Sequence, residues 1–160
     1  MDDLTAHTAT LDATIPALEN PLGVDGFEFV EFTGPDPQAM IRQIEIMGFV
    51  QTHVNPKNGV VRMKQGDITF LVHTRPEGHA GAFARDHGPS ANGMAFRVND
   101  ARAAYDAAVS RGAHPADAHN GGALGEGAYV LRGIGGSLLY IIDAYGEAGS
   151  LYDTWDEIEG

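Results

Sequence analysis

The sequence predicts an α+β domain built from two tandem β-α-β-β-β units, over residues 24–73 and residues 93–145. Alternating apolar strands and amphipathic helices follow one another in the same order in both stretches. The stretches also align as sequence. Gly26 of GFEFVEF falls on Gly93 of GMAFRVN, 67 residues later, and Gln65 of QGDITFLVHT falls on Gly135 of GGSLLYIIDA, 70 residues later. Neither unit can bury a sheet face alone, so we expect the two to share one core.

The first unit opens with VDGFEFVEF, residues 24–32, in which aromatic and β-branched residues alternate with others. A helix follows from Pro37, and Gly48 stands where it would end. The apolar residues at helical spacing are Met40, Ile41, Ile44 and Met47. Three strands joined by tight turns complete the unit, at residues 49–54, 60–65 and 68–73.

The second unit repeats this order, beginning with a strand at residues 93–98. Asp100 is a good N-cap for a helix over residues 101–111, and Gly112 is a good stop. Strands are then predicted at residues 128–133 and 137–146. The result is a curved mixed sheet with its helices on the convex face.

Alternation along the strands assigns side chains to the two faces of this sheet. The helix face is predicted to carry Phe27, Phe29, Met94, Phe96, Val98, Leu139 and Ile141. The concave face is predicted to carry Gly26, Glu28, Val30, Ile68, Phe70, Val72, Gly93, Ala95, Arg97, Leu138, Tyr140 and Ile142.

Composition limits the binding partners and the cellular compartment that we expect for the protein. The 160 residues carry a net charge of −12, so clustered cations for nucleic acid or an anionic membrane are missing. No cysteine is present, which excludes disulfides and favours the cytoplasm. We expect residues 1–20 to be a mobile leader, residues 21–146 to be the domain and residues 147–160 to be a linker toward a further domain. Tyr152 and Trp155 in this last segment suit either an interface with that domain or packing on their own.

Three histidines fall within residues 73–87 and raise the question of a metal site. Alternation points His73, together with Thr69 and Leu71, away from the concave face. His79 and His87 lie in the connector between the units. Surface and capping roles therefore fit the three better than metal binding.

Glu28 and Arg97 are the charged residues predicted on the concave face. The repeat places their strands side by side, and a buried charge without a partner is costly, so we predict a partly buried ion pair. The alternative is a carboxylate-binding or acid/base site, because arginine is a good bidentate partner for a carboxylate.

Several segments together resemble the N-terminal half of 4-hydroxyphenylpyruvate dioxygenases, members of the vicinal oxygen chelate superfamily. They are NPLGVDGFEFVEF, EIMGF, RDHGPSANGMAFRV, RGIGGSLLYIIDAYG and SLYD, in that order. The resemblance implies a vicinal oxygen chelate fold and a cytoplasmic, homo-oligomeric enzyme of tyrosine catabolism. Such an enzyme converts 4-hydroxyphenylpyruvate to homogentisate with non-haem Fe(II) and O₂. In the family, iron and substrate belong to the C-terminal domain, which we expect to follow this chain.

The superfamily resemblance also implies where a metal site would lie: at Gly26, Phe70, Gly93 and Tyr140. Glycine and phenylalanine donate no electron pair, and one tyrosine cannot hold iron alone. We therefore expect no catalytic residue, metal or cofactor in this chain, with Fe(II) bound in the C-terminal domain. The domain's role would be to form domain and subunit interfaces. The alternatives are a free-standing small-ligand-binding protein of the glyoxalase or bleomycin-resistance type, and an independent Fe(II) enzyme.

Overall fold

A computed structural model describes residues 19–117 and 122–158, so most of the predicted leader lies outside the described residues. Eight strands form one mixed sheet in the order β6-β7-β5-β1-β4-β3-β2-β8. The strands are β1 Val24–Thr33, β2 Val50–Val54, β3 Val60–Gln65, β4 Ile68–His73, β5 Ser90–Val98, β6 Tyr129–Arg132, β7 Leu138–Ile142 and β8 Asp156–Glu157. The helices are α1 Pro37–Ile46, α2 Gly78–His87 and α3 Ala101–Ser110. No helix in the described ranges is long and apolar enough to cross a membrane.

The two repeats meet through their first strands. β1 and β5 run antiparallel at the centre of the sheet, and each also pairs in parallel with the last strand of its own unit, β4 or β7. In the second unit the strand after the helix is reduced to a bridge between Pro115 and Leu131. The predicted repeat is therefore present, with one strand shortened.

The two predicted helices begin where their caps indicate. The Asp36 side chain accepts a hydrogen bond from the Ala39 amide, and Asp100 accepts one from the Ala103 amide. The connector between the units, to which the sequence analysis assigned no element, contains α2. Small residues allow α2 to pack closely: a side chain on Gly81 would lie 2.7 Å from the Pro76 carbonyl oxygen.

The helix face holds two apolar clusters. Ile41 and Ile44 of α1 pack with Val61, Met63 and Val72. The alanines of α3 pack in the same way against the second unit, with Val98, Leu131 and Ile141.

The opposite face, called the inner face below, holds a third cluster. Its buried members are Phe29, Val60, Leu71, Ala95, Ala123, Val130, Leu138, Tyr140, Ile142, Tyr152 and Trp155. Of the two roles expected for Tyr152 and Trp155, packing on their own domain is therefore the one observed. β8 then adds a short strand to the edge of β2.

The predicted faces are correct for β5 and β7 and wrong for part of β1 and for β4. The register of β1 on β5 is irregular, since Phe27 pairs with Phe96 while Phe29 pairs with the adjacent Ala95. Glu28 is thus an extra residue in β1, and such a bulge interrupts the alternation of side chains. Phe29 was predicted on the helix face but lies in the inner cluster.

β4 pairs with the part of β1 that follows this bulge. Its side chains therefore point to the faces opposite to those predicted. Val30 pairs with Phe70, and Phe70 and Val72 pack against α1 instead of lining the inner face. Thr69, Leu71 and His73 occupy the inner face in their place, where they are buried. The predictions that Val30, Ile68, Phe70 and Val72 line the inner face, and that His73 points away from it, were therefore wrong.

Candidate functional site: the inner face of the sheet

The predicted partners Glu28 and Arg97 lie together on the inner face. Nε of Arg97 donates a hydrogen bond of 2.7 Å to Oε2 of Glu28. The Glu28 side chain is only 7% exposed, whereas that of Arg97 is 35% exposed. The Arg97 guanidinium also lies 5.3 Å from the ring centre of Tyr145. The pair therefore has a buried acidic member and an accessible basic one.

A second polar group lies deeper on the inner face, around the fully buried Glu31. Nε2 of His73 lies 2.5 Å from Oε1 of Glu31, and the Asn92 amide donates to the same oxygen over 2.7 Å. Donors of this kind are what a buried carboxylate needs. The pKa of Tyr140 is raised well above its usual value, mainly by burial and secondly by the charge of Glu31.

Sequence reasoning missed this group because it depends on the irregularity at Glu28. Glu31 was not assigned to either face, and His73 was assigned to the wrong one. One signal was available: a glutamate in the middle of an apolar strand must find donors if it is buried.

The four positions implied for a metal do not converge. Gly26 is exposed, and Phe70 lies on the helix face, stacked on Phe49 at 4.4 Å between ring centres. Gly93 and Tyr140 do lie on the inner face. A side chain on Gly93 would begin 2.8 Å from Oε2 of Glu31 and 3.1 Å from the Tyr140 ring, so this position is closed by packing.

Metal-binding side chains are also sparse elsewhere. Within the described ranges, no three His, Cys, Asp or Glu side chains come close enough to share a metal ion. His79 and His87 belong to α2, where both rings contact Phe83, and Nε2 of His79 contacts the Gly136 carbonyl oxygen. The three histidines noted in the sequence are therefore not one cluster.

The middle of the inner face is a packed core. The rings of Phe29 and Tyr140 lie 5.3 Å apart, and the Tyr140 hydroxyl accepts a hydrogen bond from the Ala123 amide. The Tyr152 and Trp155 rings meet edge to face, 5.2 Å apart. This packing keeps a substrate out of the centre of the face.

Two polar cavities remain on either side of this core. One of about 510 Å³ lies beside His73, where the lining includes Asn55, Lys57, Arg75 and Glu126. The other, of about 370 Å³, lies beside the Glu28–Arg97 pair. Both cavities therefore offer room for a ligand beside the packed centre of the face.

Comparison with known proteins identifies the family of this chain. Residues 18–156 match the family model described as "Hydroxyphenylpyruvate dioxygenase, HPPD, N-terminal". A 4-hydroxyphenylpyruvate dioxygenase from Pseudomonas aeruginosa is 46% identical over 88% of this chain and 40% of its own length. Another, from Pseudomonas sp. strain P.J. 874, is 41% identical over 84% of this chain and 38% of its own.

A solved structure agrees with these sequence matches. It is a fusion protein of a xylose isomerase-like TIM barrel and a 4-hydroxyphenylpyruvate dioxygenase, with a TM-score of 0.71 and 29% identity. The match covers 84% of this chain and 21% of that one. The chain spans about two fifths of the length of the two curated relatives. It belongs to the family of N-terminal domains of hydroxyphenylpyruvate dioxygenases.

Proposed function

We propose that this chain is the non-catalytic N-terminal domain of a 4-hydroxyphenylpyruvate dioxygenase. The whole protein would use Fe(II) and O₂ to convert 4-hydroxyphenylpyruvate to homogentisate in tyrosine catabolism, in the cytoplasm. The observation that carries the proposal is the closed inner face. Gly93 and Tyr140 occupy two of the positions implied for a metal, and the centre of the face is filled by the domain's own side chains.

The donors that the structure describes do not suit iron. A mononuclear Fe(II) oxygenase site needs two histidines and a carboxylate around open positions. Glu31 and His73 are one carboxylate and one imidazole, and they contact each other. The third group of the cluster, Asn92, already donates to Glu31. We therefore place the iron and the substrate in a C-terminal domain outside this sequence.

The proposed role of this domain is to form the domain and subunit interfaces of a homo-oligomer. Support comes from apolar side chains exposed around the end of α1 and the neighbouring strands. They are Ile46, Met47, Val50 and Ile68, each more than half exposed. An exposed apolar patch of this kind is a common mark of an interface.

Metal titration tests the non-catalytic role directly. The 160-residue chain is titrated anaerobically with Fe(II), and O₂ uptake with 4-hydroxyphenylpyruvate is then measured. We expect no stoichiometric binding and no uptake, because no three His, Cys, Asp or Glu side chains of the described residues come close enough to share a metal ion. One equivalent of bound Fe(II) with turnover of the substrate would overturn the proposal.

A free-standing small-ligand-binding protein of the glyoxalase or bleomycin-resistance type is the second candidate. The two polar cavities beside the inner core favour it. The length of the reading frame distinguishes the candidates. Codons after Gly160 that encode two histidines and a glutamate on predicted strands favour the dioxygenase, and an immediate stop codon favours the small protein.

A further inference from the structure

A small cavity lies between α3 and the sheet, on the helix face of the second unit. Its volume is about 190 Å³. Every described side chain that lines it is apolar: Leu22, Val24, Phe96, Val98, Ala104, Ala108, Leu131, Leu139 and Ile141. Most of these residues belong to the apolar cluster under α3. The cavity is therefore separate from the two polar cavities of the inner face.

The internal repeat explains why there is room under α3. The N-caps of α1 and α3 place the two helices in register, so the fourth residue after the cap is Met40 in α1 and Ala104 in α3. The eighth residue is Ile44 in α1 and Ala108 in α3. Both alanines are buried, and both line the cavity. The cavity therefore lies where the second unit has less side-chain volume than the first.

The walls of this cavity make water a poor occupant. A buried water molecule needs about two to four polar partners, whereas these walls present apolar atoms only. An apolar cavity of about 150 Å³ stays dry and binds benzene. The space beside α1 differs, because Asp36, Gln43 and Ser90 contribute to its lining. Only the cavity under α3 therefore combines this size with a wholly apolar wall among the cavities described here.

The surroundings of the cavity favour a small molecule over a second protein. Val24 lines the cavity and is 40% exposed, so the cavity opens to solvent on this side. Phe27 is 62% exposed, and its ring lies 5.1 Å from that of Phe96 in the cavity wall. A stable protein interface buries about 800 Å² on each partner, which is far more than two exposed apolar side chains supply.

We propose that the cavity under α3 binds a small uncharged apolar molecule of about the size of benzene. Transfer of the apolar surface of the ligand out of water drives binding, and contacts with the cavity wall add dispersion energy. A charged or strongly polar molecule is disfavoured, because its polar group would leave water without gaining a partner. This inference is independent of the proposed dioxygenase, since the cavity lies outside the inner face.

The test is a calorimetric titration of the 160-residue chain with benzene. Pyridine in its uncharged form is the ligand control, because its ring has nearly the same shape but carries a nitrogen that needs a hydrogen-bond donor. We expect saturable binding of one benzene per chain and binding of pyridine that is at least about tenfold weaker. Equal affinities for the two compounds, or no saturable binding of benzene, would overturn the proposal.

Residues taken from the first unit supply the variants. Ala104→Met and Ala108→Ile each introduce the side chain that α1 carries at that position, and each should weaken benzene binding at least about tenfold by filling the space. Ala103→Met is the matched control, because Ala103 is exposed on α3, and it should leave the affinity unchanged. Urea unfolding identifies the variants that remain folded. Unchanged benzene affinity in a folded variant with a filled cavity would refute the site.

NMR of the unmodified chain locates the ligand without any substitution. The methyl signals of Ala104 and Ala108 should shift on addition of benzene, and that of Ala103 should not. Shifts that leave the first two signals unchanged would place the ligand elsewhere and contradict the proposal.

Two results would assign the cavity to a different occupant and overturn the proposal. Benzene binding that appears only after removal of residues 1–18 would assign it to the chain's own first residues, which precede the lining residue Leu22. Benzene binding that appears only at concentrations where sedimentation shows a monomer would assign it to a second copy of the chain.

Discussion

Gly93 is the position at which a single methyl group should disturb the inner face most. Its Cβ would lie 2.8 Å from Oε2 of Glu31, 3.1 Å from the Tyr140 ring and 3.2 Å from the Leu138 carbonyl oxygen. Favourable contacts between non-bonded atoms lie near 3.5–4.0 Å, so all three neighbours must move. The Glu31 carboxylate cannot move freely, because His73 and Asn92 hold its other oxygen.

The expected loss for Gly93→Ala is about 2 kcal/mol of unfolding free energy. Overpacking in a core typically costs about 1–3 kcal/mol. The lower chain entropy of unfolded alanine returns about 0.4–1 kcal/mol where the backbone conformation suits it. Gly93 pairs with Glu31 and Leu138 and is not among the glycines with positive φ, so the cost arises from packing. In a domain of this size the loss corresponds to a melting temperature lower by about 4–8 °C.

Urea unfolding followed by Trp155 fluorescence measures this loss. The control is the same substitution in a Glu31→Ala background, where the closest of the three neighbours is gone. There the added methyl group should cost about 1–2 kcal/mol less, which is the coupling energy of the two positions. An unchanged urea midpoint for Gly93→Ala, or the same loss in both backgrounds, would refute the packing described for the inner face.

Three further predictions concern the same face. Arg97→Met leaves the buried Glu28 without its donor and should lower the unfolding free energy by about 1–3 kcal/mol in urea, and adding Glu28→Gln should restore part of it. If adding Glu28→Gln to Arg97→Met lowered the unfolding free energy further, by as much as Arg97→Met alone does, this would argue against the ion pair. The pKa values of Tyr140 and Tyr152 are raised, chiefly by burial, so both should stay protonated well above the pH at which an ordinary tyrosine ionises. Because these folded-state pKa values exceed the unfolded value of about 10, the stabilisation is complete below that pH and is lost as the pH rises further. Absorbance at 295 nm should show at most three of the five tyrosines ionising before unfolding, and five ionising together in a folded chain would contradict this. Removal of every residue after Gly149 deletes Tyr152 and Trp155, two of the four aromatic side chains buried in the inner cluster, so the truncated chain should lose its cooperative thermal transition in calorimetry. A sharp transition near that of the whole chain would show that the tail is dispensable.

Most of the fold was predictable because local and repeated signals agree. Asp36 and Asp100 mark the starts of helices through their side-chain bonds, and the alignment of Gly26 with Gly93 makes the repeat visible in the amino-acid sequence itself. α2 gave no comparable signal. Glu77 makes no capping bond there, and the helix is held by close packing of small residues, which depends on tertiary contacts.

The candidate site was only half predictable for a similar reason. Glu28 and Arg97 could be paired from the repeat, which places their strands side by side, and Glu28, itself the extra residue of β1, still reaches Arg97 on the inner face. Glu31 and His73 lie beyond this bulge, where one extra residue reverses the faces of β1 and β4. The alternation of apolar and polar residues cannot reveal such an inserted residue, because the strand alternates normally both before and after it.

The two outer edges of the sheet have a consequence for how copies of the domain can associate. At one edge β8 is only two residues long, and both residues are acidic. At the other, the backbone on either side of Pro115 already bonds to β6, with Ala116 donating to Val130 and Arg132 donating to His114. Short charged strands and occupied backbone groups resist the addition of another strand. Extension of this sheet by edge pairing with a second copy is therefore disfavoured, which favours assembly through side chains on its faces.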